Sequence, residues 1–265
     1  MIIAAHEIEG YEQHAVSIFP GGHNRDIVLI CEHAGNRIPE SWHNLGLPDA
    51  FLETHFGFDL GSKALTLAIA RKLGATAIVS EYSRLFLDYN RKAHDPACIR
   101  PDMGGIPIPL NLNVSEEERH LRVRIARDPV EAAIRDWVEG PKNKAKAVIS
   151  LHSFSPVWEL TFRKCEIGVM WKLDDRLPTR LMQSIRECGP FQVDDNLPYS
   201  FKDNDWFTLD RHGIAIGVPN AYIEVRNNLI DDTQSLEKVS TVLSAAIERA
   251  CQAISHYSHH RDTIA

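Results

Sequence analysis

Short apolar runs bounded by charged or turn-forming residues alternate along this chain with segments whose apolar positions recur at helical spacing. Ile27-Val28-Leu29-Ile30-Cys31 is β-branched and too short for a helix, and it predicts a buried strand that delivers Glu32 and His33 to its C-terminal end. Leu60, Ala64, Leu67, Ala68 and Leu73 recur near helical period, so a helix is expected within 57–73 with Gly74 as its stop. Residues 75–80 then read as a second strand. Residues 116–138 carry the charge mixture of a long surface helix, 145–151 form a strand ending at His152, and 179–188 a further helix. The runs 215–218 and 221–225 flank the turn signal Pro219-Asn220 and are expected as strands, with a closing amphipathic helix over 235–254. Residues 92–113, rich in Pro and Gly, read as a long lid-like loop.

This alternation predicts an α/β fold with three layers, α/β/α: a mixed, mostly parallel sheet with helices on both faces. One domain spanning 1–265 is expected. The apolar fraction of 44% and charged fraction of 25% are those of an ordinary globular chain that buries a sizeable core. A formal charge of -7 disfavours nucleic acid as a partner, and no window reaches the length of a membrane span. The five cysteines are scattered without a C-x-x-C pair and read as reduced thiols. Met1 to Gly10 holds Glu7 and Glu9 and no basic stretch before an apolar run, so the cytoplasm is the expected compartment.

Chemistry-bearing residues gather at the ends of the expected strands. Ligands of open α/β sheets bind outside the carboxyl ends of strands, where loops and helix N-termini converge. His33 in Glu32-His33-Ala34-Gly35-Asn36 and His152 in Ser150-Leu151-His152-Ser153 both hold that position. A catalytic zinc takes three protein ligands and keeps a fourth position for water, so a carboxylate should complete the set. Asp59, Glu32 and Asp88 are the candidates. The segment from Arg84 to Arg91 has a guanidinium at each end and Asn90 beside one. Such a fork suits a substrate carboxylate, while an Arg91–Asp88 ion pair is the plainer alternative. Glu224 lies within an apolar strand, where an unpaired carboxylate is costly, so it is either paired, for instance with Arg226, or used as a general base.

In chain order these motifs resemble those of the zinc carboxypeptidases. Ile149-Ser150-Leu151-His152-Ser153-Phe154-Ser155 is similar to the segment that supplies their second histidine ligand. Asp88-Tyr89-Asn90-Arg91 resembles the pair that grips the terminal carboxylate, and Ile223-Glu224-Val225-Arg226 the strand of the catalytic glutamate. The N-formylglutamate amidohydrolase family is more similar still, through His33-Ala34-Gly35 with Pro39 soon after, the Arg84-to-Arg91 segment and the strand-end His152. The resemblance covers 27–228.

That resemblance implies a zinc-exopeptidase-like fold, one zinc ion and hydrolysis of the amide of a small acidic N-acyl amino acid, N-formyl-L-glutamate first. It casts His33, Asp59 and His152 as metal ligands, with Glu32 as the alternative to Asp59, and Glu224 as the base. Arg84 would stabilise the oxyanion, and Arg91 and Asn90 would hold the α-carboxylate. A second carboxylate would need Arg226, Lys202, Arg163 or Arg100, with 203–213 part of the rim. One departure stands out. The peptidases' His-x-x-Glu is broken by Asn36, whose amide is a poor zinc ligand, and for that reason the third ligand is assigned to Asp59.

Two rivals follow: an amidase or carboxypeptidase for another acyl amino acid or short peptide, and a carboxylate-binding module without metal. Comparing N-formyl, N-acetyl and dipeptide substrates separates the first; tight binding of an acidic metabolite without turnover marks the second. His43, His55, His94, His120 and His212 read as surface or packing residues, and His256, His259 and His260 as a tail after the last helix.

Overall fold

The computed structural model describes residues 3–141, 143, 145–202 and 207–262, and within them seven strands form one sheet. They are β1 (Val16–Phe19), β2 (Asn24–Cys31), β3 (Ala75–Ser80), β4 (Ala147–Phe154), β5 (Ile167–Met170), β6 (Val193–Asp195) and β7 (Asn220–Arg226). Across the sheet the order is β1-β3-β2-β4-β7-β5-β6. The central strands β3, β2, β4 and β7 are parallel, and so are β5 and β6; β1 joins β3 and β5 joins β7 antiparallel. The sheet is therefore mixed and mostly parallel, as expected.

The main helices are α1 (Ala5–Gln13), α2 (Ser62–Leu73), α3 (Glu116–Arg122), α4 (Asp128–Val138), α5 (Arg176–Cys188), α6 (Phe207–His212) and α7 (Thr233–Asp262). Gly74 ends α2 in the left-handed region at φ 62, where its N–H reaches the carbonyls of Ala70 and Arg71. The long helix expected over 116–138 is interrupted by a wider turn at Val123–Arg127. The strand expected at 215–218 is a tight turn at Ile214–Ile216 capped by Gly217 at φ 71, a backbone that cannot continue a strand. The last helix runs further than expected, so His256, His259 and His260 are helix positions and not a tail.

Strand alternation sorts the core into two layers. Ile27 and Leu29 of β2, Ile149 and Leu151 of β4, and Ile223 and Val225 of β7 pack one face against α2, α5 and α7. Val28, Ile30, Val148 and Tyr222 point the other way, toward α4, α6 and the buried segment around Leu85, Phe86 and Leu87. Ile149 and Ile223 are fully buried, and truncating either to Ala would cost about 2–5 kcal/mol.

On that second face the C-terminal ends of the strands turn polar. Ser150 and His152 follow Val148 on β4, Glu224 follows Tyr222 on β7, and Glu32 follows Ile30 just past β2. Glu224 is in register with His152, and Ile30 with Ser150, so His152 and Glu224 sit side by side on β4 and β7 with Glu32 at the turn that follows β2. Among the described residues no helix is long and apolar enough to cross a membrane.

Candidate functional site

His33 and His152 converge with Asp59. The three can present ligand atoms all within 4.8 Å of one another, and all three residues are buried. Asp59 lies in the turn before α2, tied to the first histidine by its N–H to the His33 carbonyl at 2.9 Å. Its Oδ2 is 2.8 Å from His152 Nδ1 and 3.5 Å from His33 Nδ1. Ligand atoms on a tetrahedral zinc stand roughly 3.4 Å apart, given bonds of about 2.1 Å.

The far sides of both imidazoles are held by carboxylates. His33 Nε2 is 3.0 Å from Asp88 Oδ1, and His152 Nε2 is 3.1 Å from Glu32 Oε2. Ser150 Oγ donates to the same Glu32 oxygen at 2.5 Å. Such partners fix which ring nitrogen carries the proton and leave the other, Nδ1 in both rings, turned toward Asp59. His33 Nδ1 is buried with no hydrogen-bond partner among the described residues. A buried imidazole nitrogen left in that state is unfavourable unless something binds it. The donor set of two imidazoles and a carboxylate fits zinc.

Glu32 is thus placed behind His152 rather than in the group of ligand atoms, and Asp88 behind His33. Asn36 is turned away, its Nδ2 donating to Glu53 Oε1 at 2.9 Å. Arg84 braces both aspartates, Nη1 at 3.1 Å from Asp59 Oδ1 and Nη2 at 3.3 Å from Asp88 Oδ2.

The electrostatics follow from burial opposed by charge. Burial alone would raise Asp59, yet the charge of His33, the hydrogen bond from His152 and Arg84 hold it well below the usual carboxylate range. The same opposition lowers Glu32, where burial is outweighed mainly by His152. Burial would lower His152, but Glu32 and Asp59 raise it well above its ordinary value. Glu224 differs. Burial dominates there and lifts it to about 7, with His152 pulling the other way. Its Oε2 is buried and has no hydrogen-bond partner among the described residues.

These groups open into a cavity of about 860 Å³. Its wall includes His33, Asp59, His152, Glu224, Arg84, Asn90 and Arg91. Asn90 is held from behind, because Oδ1 accepts from Tyr222 Oη at 2.9 Å and from the Thr208 N–H at 3.1 Å. The loop over 92–113 contains a short hairpin, Asp102–Met103 with Ile106–Pro107, and contributes Arg100, Met103 and Gly104 to the wall. Residues 203–206 of the expected rim lie outside the described residues, while α6 packs behind Asn90 and does not line the cavity.

One expectation needs correction. Arg226 does not line the cavity. It leaves the strand on the same side as Glu224, but its Nη1 donates to the carbonyls of Arg163 and Lys164 at 3.0 and 3.2 Å and its Nε to Asn228 Oδ1. It fastens backbone instead of offering a cation to a ligand. His55, read as a surface or packing residue, lines the cavity, and burial lowers its pKa. His212 is a packing residue as expected, buried with Nε2 3.0 Å from Glu131.

Residues 25–230 match the N-formylglutamate amidohydrolase family. No curated protein sequence matches the chain. Among solved structures the chain is similar to a gene product of Agrobacterium tumefaciens, with 29% identity and a TM-score of 0.85 over 93% of this chain and 98% of that one. It is also similar to N-formylglutamate amidohydrolase from Ralstonia eutropha JMP134, with 18% identity and a TM-score of 0.72 over 92% and 99% of the two chains. At that identity the second likeness speaks for the fold alone. The family match takes in β2 through β7 and all the metal-site and cavity residues named above, and on that ground this chain belongs to the N-formylglutamate amidohydrolase family.

Proposed function

We propose that the chain is a zinc-dependent hydrolase that converts N-formyl-L-glutamate to formate and L-glutamate. One observation carries the reading: a buried His33 nitrogen without a partner stands with Asp59 and His152 in the same cavity as an unpartnered Glu224 oxygen. The substrate named in the family's description supports the choice of formyl donor.

His33, Asp59 and His152 would hold the zinc. When bound, such an ion supplies Lewis acidity and lowers the pKa of water toward neutrality. Glu224 is the general base that removes a proton from the attacking water, and a carboxylate near 7 is matched to that task at neutral pH. The same carboxyl then returns the proton to the departing amide nitrogen. Arg84 stands beside both aspartates and offers charge to the oxygen that becomes negative. Arg91 and the fixed amide of Asn90 bind the α-carboxylate and so orient the formyl carbon. Asp88 and Glu32 hold the two imidazoles in the required tautomer.

A second reading is hydrolysis of a larger N-acyl group, for which a cavity of about 860 Å³ has room. One assay separates the two. Purified protein of measured zinc content is given N-formyl-L-glutamate, N-acetyl-L-glutamate and a γ-acidic dipeptide. The formyl substrate should have the highest kcat/KM, with formate released in step with glutamate. A preference for either larger substrate would move the assignment to it, and no turnover of any by zinc-loaded protein would overturn the reading.

A further inference from the structure

We infer that Arg163 binds the side-chain carboxylate of the substrate and makes the enzyme selective for acidic amino acids, an inference that rests on the reaction proposed above. Of the four cations considered for that carboxylate, two are excluded by position. Lys202 does not line the cavity and lies with Nζ 4.1 Å from the centre of the Trp171 ring, and Arg226 is engaged with main-chain carbonyls.

Arg100 lines the cavity but sits within the electrostatic neighbourhood of Asp88, Arg84 and Arg91. It adds to the cationic pole already given to the α-carboxylate. Arg163 also lines the cavity. It lies just past the hairpin of Val157–Trp158 and Thr161–Phe162, and its guanidinium stands 5.0 Å from the Tyr199 ring, 5.3 Å from Trp158 and 5.6 Å from Phe154.

The three rings flank the cation and leave it on the cavity wall. Arg163 Nη1 donates to Tyr199 Oη at 3.1 Å and to the Ser155 carbonyl at 3.5 Å. Among the described residues no carboxylate lies within ion-pair distance of it. A partly buried guanidinium on the cavity wall, with no counter-ion among the described residues, is suited to an incoming carboxylate, which it can meet with paired N–H donors. Its backbone is pinned on both sides, its N–H to the Pro156 carbonyl at 2.8 Å and its carbonyl by Arg226. The buried Arg226 is therefore a positioning residue for Arg163, which accounts for a strand-borne arginine that touches no part of the cavity.

The test compares Arg163→Met and Arg163→Lys with the unmodified zinc-loaded enzyme on N-formyl-L-glutamate and N-formyl-L-glutamine, which differ only in side-chain charge. The ratio of the two kcat/KM values should fall about 10- to 100-fold in Arg163→Met, chiefly through KM for the acidic substrate. Arg163→Lys, which keeps charge without the planar fork, should recover part of it. A merely structural role lowers both substrates together, and an unchanged ratio overturns the inference. Calorimetric binding of L-glutamate against L-glutamine gives a readout independent of turnover and of the acyl group. If the enzyme hydrolyses neither formyl compound, the proposed reaction fails by itself. The preference for glutamate over glutamine, lost in Arg163→Met or reduced in Arg163→Lys should the former not fold, would still support Arg163, and its persistence at the parent's full size would overturn it.

Discussion

Replacing Glu224 with Gln should destroy activity and stabilise the metal-free protein at the same time. The carboxylate is buried, its Oε2 has no partner, and burial lifts its pKa from 4.5 to about 7. A carboxyl whose folded value is raised favours the folded state while it is neutral. That contribution is complete below 4.5 and is lost as pH rises through about 7. The difference between 4.5 and about 7 corresponds to about 3 kcal/mol at most. Glutamine has nearly the same shape and never ionises, so it escapes that loss. Urea unfolding of chelator-treated protein and variant at pH 5 and pH 8 measures the effect. The stability of Glu224→Gln relative to the parent should be higher at pH 8 than at pH 5 by up to about 3 kcal/mol. Comparing the two pH values cancels any fixed cost of fitting the amide. Zinc-loaded Glu224→Gln should lose about 10²–10⁴ in kcat. An identical stability difference at both pH values would refute the electrostatic reasoning, and a folded, metal-loaded variant with the parent's rate would refute the assignment of the base.

Zinc affinity should rise with pH. Glu32 and Asp59 outweigh burial and raise His152 well above its ordinary value, so the metal-free protein keeps at neutral pH a proton that a cation must displace. Competition with a chelator at pH 6, 7 and 8 reads this directly, and a flat profile would contradict it. Asp88→Ala removes the acceptor for His33 Nε2 and should weaken zinc binding about 10- to 100-fold, measured by the same competition; unchanged affinity would deny Asp88 its orienting part. Gly35→Ala should destabilise the fold by about 1–3 kcal/mol in urea unfolding, because a Cβ there would collide with the Glu81 backbone.

The central strands were legible because each couples an apolar run to a polar end. Residues 75–80 read as a strand and form β3 with those bounds, and 27–31 lie within β2. The edges of the sheet were not. β1 is a short, half-exposed strand whose partner is some sixty residues away in sequence, and nothing near Val16 signals that pairing. β5 and β6 were overlooked for a similar reason, being only 4 and 3 residues long.

In the site, the two histidines were visible by their place at strand ends. Asp59 was chosen by eliminating Asn36 and by its place at the opening of the next helix, in Phe58-Asp59-Leu60-Gly61. The parts played by Glu32 and Asp88 needed the fold, since only strand register and the turn at 84–91 put them behind the imidazoles. Arg226 misled because alternation puts it on the same side of the strand as Glu224. Sequence does not show that the chain over 163–165 returns there with carbonyls to be held.

The central claim is that His33, Asp59 and His152 together grip one divalent ion beside Glu224. Anomalous diffraction at the zinc absorption edge from crystals of the zinc-loaded protein tests it most directly. The account requires one anomalous peak about 2.1 Å from His33 Nδ1, His152 Nδ1 and an Asp59 oxygen. A peak elsewhere, or ligation by Glu32 or Asn36 in place of Asp59, would contradict it.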